Sequence, residues 1–133
     1  MPKGERKARR LAIEVARLCA ENRCREVTVL DLRKLSPVAM YFVLATGTSA
    51  RQMRATAARC EEAHPNLGEK PFAVEGRDTG DEDARWILID YVHVVAHLFS
   101  EASRSYYDLE LLWGDAPRVD WEKGWTPREE DTA

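Results

Sequence analysis

WILIDYVHVVAHLF, Trp86 to Phe99, is the one long run of this chain in which apolar and β-branched residues crowd together almost without interruption. At about 3.3 Å per residue a flat strand of that length extends about 46 Å, well past the usual five or six residues. A globule of 133 residues is only about 36 Å across, so the run must bend, bulge or fold back. Folded as a hairpin with Val92 and His93 in a two-residue turn, it sorts cleanly. Ile87, Ile89, Tyr91, Val94, Ala96 and Leu98 share one face, and Trp86, Leu88, Asp90, Val95, His97 and Phe99 share the other. As one continuous strand, His93 and His97 fall in the row of Ile87 and Ile89, and neither face is purely apolar. Sorting therefore favours the hairpin. Turn chemistry opposes it, because two-residue turns want Gly, Asn or Asp at positive φ and Val92 is β-branched. A bent strand stays open as the alternative, and distortion is expected at Val92 in either case.

Upstream of this run the pattern changes period twice. Ala8, Leu11, Ala12, Val15, Leu18 and Cys19 have the spacing of one helical face, which predicts a helix ending near Asn22. Its other face carries Arg9, Arg10, Glu14, Arg17 and Glu21, ordinarily a solvated surface. Arg9, Arg10 and Arg17 are also the residue type that neutralises phosphates, which makes them candidates for a nucleic-acid contact. Val27–Leu32 and Tyr41–Thr46 have strand composition, separated by Ser36 and Pro37. Ser49 followed by Gln52 is a capping-box signature, and Met53, Ala57, Cys60 and Ala63 fit the inner face of the helix it starts. Phe72–Glu75 reads as a short strand, and the acidic, glycine-bearing Gly76–Arg85 as a loop.

Beyond Phe99, Ser100 is a plausible cap for a helix in which Tyr106, Leu109, Leu112 and Trp113 share a face and Gly114 marks the end. The remainder, to Ala133, has the composition of a disordered tail, yet Trp121 and Trp125 suit a segment that folds back. The order helix, strand, strand, helix, strand, hairpin, helix describes a single mixed β-sheet flanked by helices, an α/β (α+β) domain.

Composition narrows the class. Apolar content of 44% and charged content of 32% fit one polar-surfaced globular domain. No apolar run approaches the ~18 to 20 residues of a membrane span, and no secretory segment follows the basic start, so a cytoplasmic protein is expected. Cys19, Cys24 and Cys60 form no CxxC pair, so buried free thiols are expected rather than a disulfide framework or a zinc site. The net charge of −3 conceals an asymmetry: residues 1–60 carry 13 Lys and Arg against 5 Asp and Glu, and residues 61–133 carry 7 against 18. That distribution either orients the protein in the field of a charged assembly or is neutralised within the fold.

Catalytic signals are weak. Thr46–Ser49 before a helix has the makings of a phosphate cradle, but a Walker lysine and GxGxxG spacing are missing, and an ordinary strand-to-helix turn accounts for it better. Asp90 and His97 share the outer face of the hairpin without a second carboxylate or HxH or HExxH spacing to make them a reacting pair. Trp86 on that face, with Tyr107 and Trp113 downstream, is the material of interface hot spots and equally of a core.

Taken in order, VTVLDLRKLSPVAMYFVLATGTSARQM (Val27–Met53), the EG of Glu75 and Gly76, WILIDY, VVAHLF and YYDLELLWGDA (Tyr106–Ala116) together resemble the Iojap-like family, the ribosomal silencing factors. The resemblance covers about residues 8–118, leaving 1–7 as a flexible basic start and 119–133 as a flexible tail. It implies a fold similar to nucleotidyltransferases without their catalytic carboxylates, no cofactor and no enzymatic role. It further implies binding to the large ribosomal subunit at the protein conventionally numbered fourteen. Bound there, the protein would keep the small subunit from joining and repress translation when nutrients are scarce. Trp86, Asp90, Tyr91, His97, Tyr107, Leu109, Leu112 and Trp113 match the family's aromatic and acidic pattern and inherit an expected contact role. The chain departs from that pattern at Met40, where the family usually has Asp, and at Val92 and His93, where it usually has Gly-Asp. A nucleotidyltransferase-like nucleotide-binding enzyme and a general RNA-binding module are the alternative readings. Oligomeric state, a homodimer included, is left open by the sequence.

Overall fold

A computed structural model describes residues 2–77 and 85–126, leaving aside the side chains of Pro65, Tyr106, Tyr107 and Glu110. Helix α1 (Lys3–Glu21) leads into β1 (Arg25–Asp31) and β2 (Tyr41–Thr46), then α2 (Ala50–Glu62) and the short α3 (His64–Leu67). Strand β3 (Ala73–Glu75), the pair β4 (Trp86–Asp90) and β5 (Val94–Phe99), and the short helices α4 (Glu101–Tyr107) and α5 (Leu109–Leu112) follow. The sheet order is β1-β2-β5-β4-β3, with β2 and β5 parallel and the other pairs antiparallel. This is the mixed α+β domain expected from the order of elements.

The run 86–99 is the hairpin, in the register that sorting requires: Trp86 opposes Phe99, Leu88 opposes His97 and Asp90 opposes Val95. All six residues of the first face are buried in the main core, against Ala8, Leu11, Ala12, Val15 and Cys19 of α1 and Met53, Ala57 and Cys60 of α2. Each large side chain so buried contributes about 1.5–3 kcal/mol. Val92 has φ 77°, and His93 N–H donates to the Tyr91 carbonyl at 3.1 Å, the pattern of the strained γ-turn with a positive central φ. The Asp90 carboxylate steadies this turn by accepting from Val92 N–H at 2.7 Å.

Several boundaries differ from expectation. Helix α1 begins at Lys3, so the basic start is helical from its third residue. Ser49 caps α2 as predicted, accepting from Gln52 N–H at 3.0 Å, while the Gln52 amide oxygen accepts from Thr48 N–H rather than from the cap's own. Gly47 is required just before, because any Cβ there would run into the Met53 side chain. The single helix expected after Ser100 is two: Asp108, at φ 37°, ends α4 and its carboxylate caps α5 by accepting from Leu111 N–H at 3.2 Å.

The tail folds back onto the domain as far as Trp125. Asp31 N–H donates to the Pro117 carbonyl at 2.8 Å, Val119 N–H donates to the Val29 carbonyl at 2.9 Å, and Arg118 bridges to Leu30, so the chain runs antiparallel along the free edge of β1. Trp121 then packs on the main core, its indole N–H donating to the Val27 carbonyl at 2.9 Å, and Trp125 lies tilted beside it at 5.4 Å. Covering an edge strand in this way removes an unpaired row of backbone groups. Residues 78–84 and 127–133, part of the expected loop and of the tail, lie outside the described residues.

Candidate functional site

Because α1 and α2 both pack on one face of the sheet, the other face is finished by short pieces alone. Alternation sends Phe42 and Leu44 of β2, Trp86, Leu88 and Asp90 of β4, and Val95, His97 and Phe99 of β5 to this side. Leu30, Leu32, Leu44, Phe99 and Ala116 form a small second core there, with Phe42, Trp86, Leu109 and Trp113 half-buried around it. His97 sits at the centre, opposite Leu88 on β4 and Leu44 on β2. Phe42 meets it edge-on at 4.6 Å, Phe99 stacks at 5.9 Å, and Phe42 touches Trp113 at 6.1 Å. The result is a fixed aromatic platform whose outer edges, Phe42, Trp86 and Trp113, reach solvent.

His97 is 5% exposed, which corrects its place as a surface contact. Its Nδ1 accepts from the Trp86 indole N–H at 3.1 Å, so the ring holds Trp86 in place from beneath. Burial pulls its pKa down to about 4. Protonating Nδ1 would also set a proton against the indole N–H, and the imidazole stays neutral at pH 7.

The remaining candidates divide. Tyr91 is corrected outright: it faces the main core, 5% exposed, where burial raises its phenol above the ordinary range. Asp90 is half-buried and occupied with the Val92 turn. Leu109 and Trp113 hold α5 onto the platform, while Leu112, 70% exposed, points outward. Leu111 beside it is 78% exposed and was not anticipated. Tyr107 closes α4, and its side chain lies outside the described residues. The structure thus brings Trp86, Asp90, His97, Leu109, Leu112 and Trp113 to one face and sends Tyr91 to the other.

A residue without any sequence signal secures this face. Arg104 of α4 is 8% exposed and donates to the Glu26 carbonyl at 2.6 Å, to Thr46 Oγ1 at 3.0 Å and to Thr28 Oγ1 at 3.4 Å. The Glu26 carbonyl is available because β1 bulges between Arg25 and Thr28, with Glu26 at φ 50°. Arg104 therefore clamps α4, and α5 behind it, to the sheet.

Met40 and His93, at the two places where a departure from the family pattern is expected, meet in space. Met40 N–H and Tyr41 N–H both donate to the His93 carbonyl, at 2.8 and 3.1 Å, where the parallel β2–β5 pairing begins.

The alternative sites fare less well. A cleft of about 440 Å³ opens where β2 and β5 end, lined among others by Arg25, Thr46–Ala50 and Arg85. Its cradle is spent internally: Gly47 N–H donates to the Phe99 carbonyl, Thr48 N–H to Gln52 and Gln52 N–H to Ser49. Among the arginines proposed for RNA, Arg17 is committed to the tail, donating to the carbonyls of Trp121 and Lys123 at 2.9 Å each. Arg9 is half-buried and helps hold down the Asp31 carboxyl pKa, after the larger effect of Arg33, while Arg10 is exposed. Among the described residues no helix is long and apolar enough to cross a membrane.

A family model described as ribosomal silencing factor during starvation matches residues 5–133. The chain belongs to the ribosomal silencing factor family. The match runs past the span carried by the sequence motifs, taking in most of α1 and the tail that lines β1. Ribosomal silencing factor RsfS of Bacillus subtilis is 38% identical over 109 residues, 82% of this chain and 89% of the relative. A Mus musculus relative, 28% identical over 99 residues, spans 72% of this chain and 42% of its own; it is named mitochondrial assembly of ribosomal large subunit protein 1. A crystal structure of a Chromobacterium violaceum protein superposes with a TM-score of 0.69 at 30% identity, covering 96% of this chain and 92% of that one. Ribosomal silencing factors are named for an effect on the ribosome and not for a reaction.

Proposed function

We propose that this ribosomal silencing factor binds the large ribosomal subunit through the aromatic platform and α5, and by occupying that place keeps the small subunit from joining. The observation that carries the reading is the pair Leu111 and Leu112, 78% and 70% exposed beside the half-buried Phe42, Trp86 and Trp113. A contiguous apolar surface with aromatic anchors held rigid from beneath is what a protein partner desolvates. The sheet face opposite α1 and α2 is the one left for it. The large-subunit protein numbered fourteen is the contact that the family resemblance points to, and the name of the mouse relative agrees with the large subunit as the place of action.

The mechanism needs no chemistry. A bound protein of this size on the joining surface excludes the small subunit sterically, so translation falls with occupancy and recovers on release. Sucrose-gradient sedimentation tests it: the protein should co-migrate with large subunits and lower the fraction of joined ribosomes. Absence from the large-subunit fractions at low salt would refute it. Affinity for isolated protein fourteen would place the contact; affinity that needs RNA and falls steeply with salt would favour the RNA-binding alternative.

A further inference from the structure

The end of α1 brings two thiols together. Arg23, at φ 70°, donates its N–H to the Ala20 carbonyl, and Cys24 N–H donates to the Cys19 carbonyl, both at 3.0 Å. This is a Schellman closure, which sets the side chain just past the turn against the side chain one turn back in the helix. Here those side chains are Cys24 and Cys19. Backbones one hydrogen bond apart are within the span a disulfide bridges.

The two sulfurs are not equivalent. Cys24 is 9% exposed, whereas Cys19 and Cys60 are at 0%. Cys24 Sγ also accepts from Gln52 Nε2 at 3.3 Å and lies 3.8 Å from Thr56 Oγ1, both on the flank of α2. The hydrogen bond from Cys19, aided by Gln52 and Thr56, outweighs burial and pulls the Cys24 thiol down to about 7, while Cys19 is pushed up. Among the described residues no group of three or more His, Cys, Asp or Glu is placed to hold a metal.

We propose that Cys24 and Cys19 are a hydroperoxide-sensitive dithiol that closes to an intramolecular disulfide. The Cys24 thiolate attacks one peroxide oxygen; the O–O bond breaks, and the departing oxygen takes a proton and leaves as water or an alcohol. Cys24 is now a sulfenic acid. Cys19 sulfur then attacks Cys24 sulfur, the S–S bond forms, the S–O bond breaks, and the hydroxyl leaves with the Cys19 proton as water. Two electrons pass from the thiols to the peroxide. The disulfide removes the anionic acceptor from Gln52, whose amide oxygen holds Thr48 N–H at the entrance to α2.

Peptide mapping decides the matter. The reduced full chain is treated with hydrogen peroxide at neutral pH, denatured, alkylated with N-ethylmaleimide and digested with trypsin without reduction. Trypsin cuts after Arg17, Arg23 and Arg25, so the proposed bond appears as peptide 18–23 joined to peptide 24–25. Alkylation should fall from three labels to one, carried by Cys60. The linked peptide should vanish in Cys24→Ser and persist in Cys60→Ser. Three labels after peroxide, a Cys19–Cys60 linkage, or Cys24 driven to sulfinic acid without a disulfide would each overturn the proposal.

Discussion

Trp86 and His97 meet on the diagonal of the β4–β5 hairpin, with the indole N–H donating to His97 Nδ1 at 3.1 Å and the two rings 5.7 Å apart. The bond fixes an outward-facing tryptophan on a buried, neutral imidazole. It couples the shape of the proposed docking face to the protonation state of one side chain.

The coupling sets a pH dependence. Unfolded His97 titrates near 6.5 and the folded residue near 4. Between those values the unfolded chain binds the extra proton, so stability falls as pH drops from about 6.5 to about 4 and is then level with respect to this group. The full loss is up to about 3 kcal/mol. Urea unfolding across pH 7 to 4 should show that slope in the parent and not in His97→Phe. Equal slopes in the two proteins would mean that His97 is solvated.

Val92 occupies a positive-φ turn position that costs a β-branched residue about 1–2 kcal/mol. Val92→Gly relieves this at some cost in chain entropy and should raise stability by about 1 kcal/mol. A lowered urea midpoint would show that Val92 contributes contacts outweighing the strain.

How much of this was legible follows from what each residue answers to. The hairpin, β2 and the start of α2 were readable because local alternation and capping decide them: Ile87 and Ile89 can be buried together in one register alone, and Ser49 with Gln52 marks its own helix. The outer face was not readable to the same degree. His97 is covered by Phe42, which comes from a distant segment and is itself met by Trp113, and alternation alone cannot say that a face is half covered. Asp108 carried a signal, an Asp ahead of Leu-Glu-Leu-Leu that caps a new helix, and the break there turns Leu111 outward. Arg104 carried none, because its value depends on a bulge in a strand 78 residues away.

The docked tail makes its own prediction. Trp121→Ala removes a half-buried ring, the bond to the Val27 carbonyl and the order of the segment that occupies Arg17. It should cost about 2–3 kcal/mol in urea unfolding and speed tryptic cleavage after Lys123. Unchanged cleavage and stability would show that the hydrogen bonds along β1 hold the segment without Trp121.

Arg104→Ala takes the donor from the buried Thr46 hydroxyl and from the Glu26 carbonyl, at a cost of about 1–3 kcal/mol. Loosening α4 should also weaken large-subunit binding, measured by sedimentation at a temperature where the variant is folded. Full binding by a destabilised variant would separate the clamp from the docking face.

The central claim is tested most directly at the two outward leucines, which can be changed without disturbing the core. Sedimentation of large subunits with the Leu111→Asp, Leu112→Asp double variant, its fold checked by circular dichroism, should show at least a tenfold loss of co-migrating protein relative to the parent. Co-migration equal to the parent's would contradict the account and place the docking surface elsewhere.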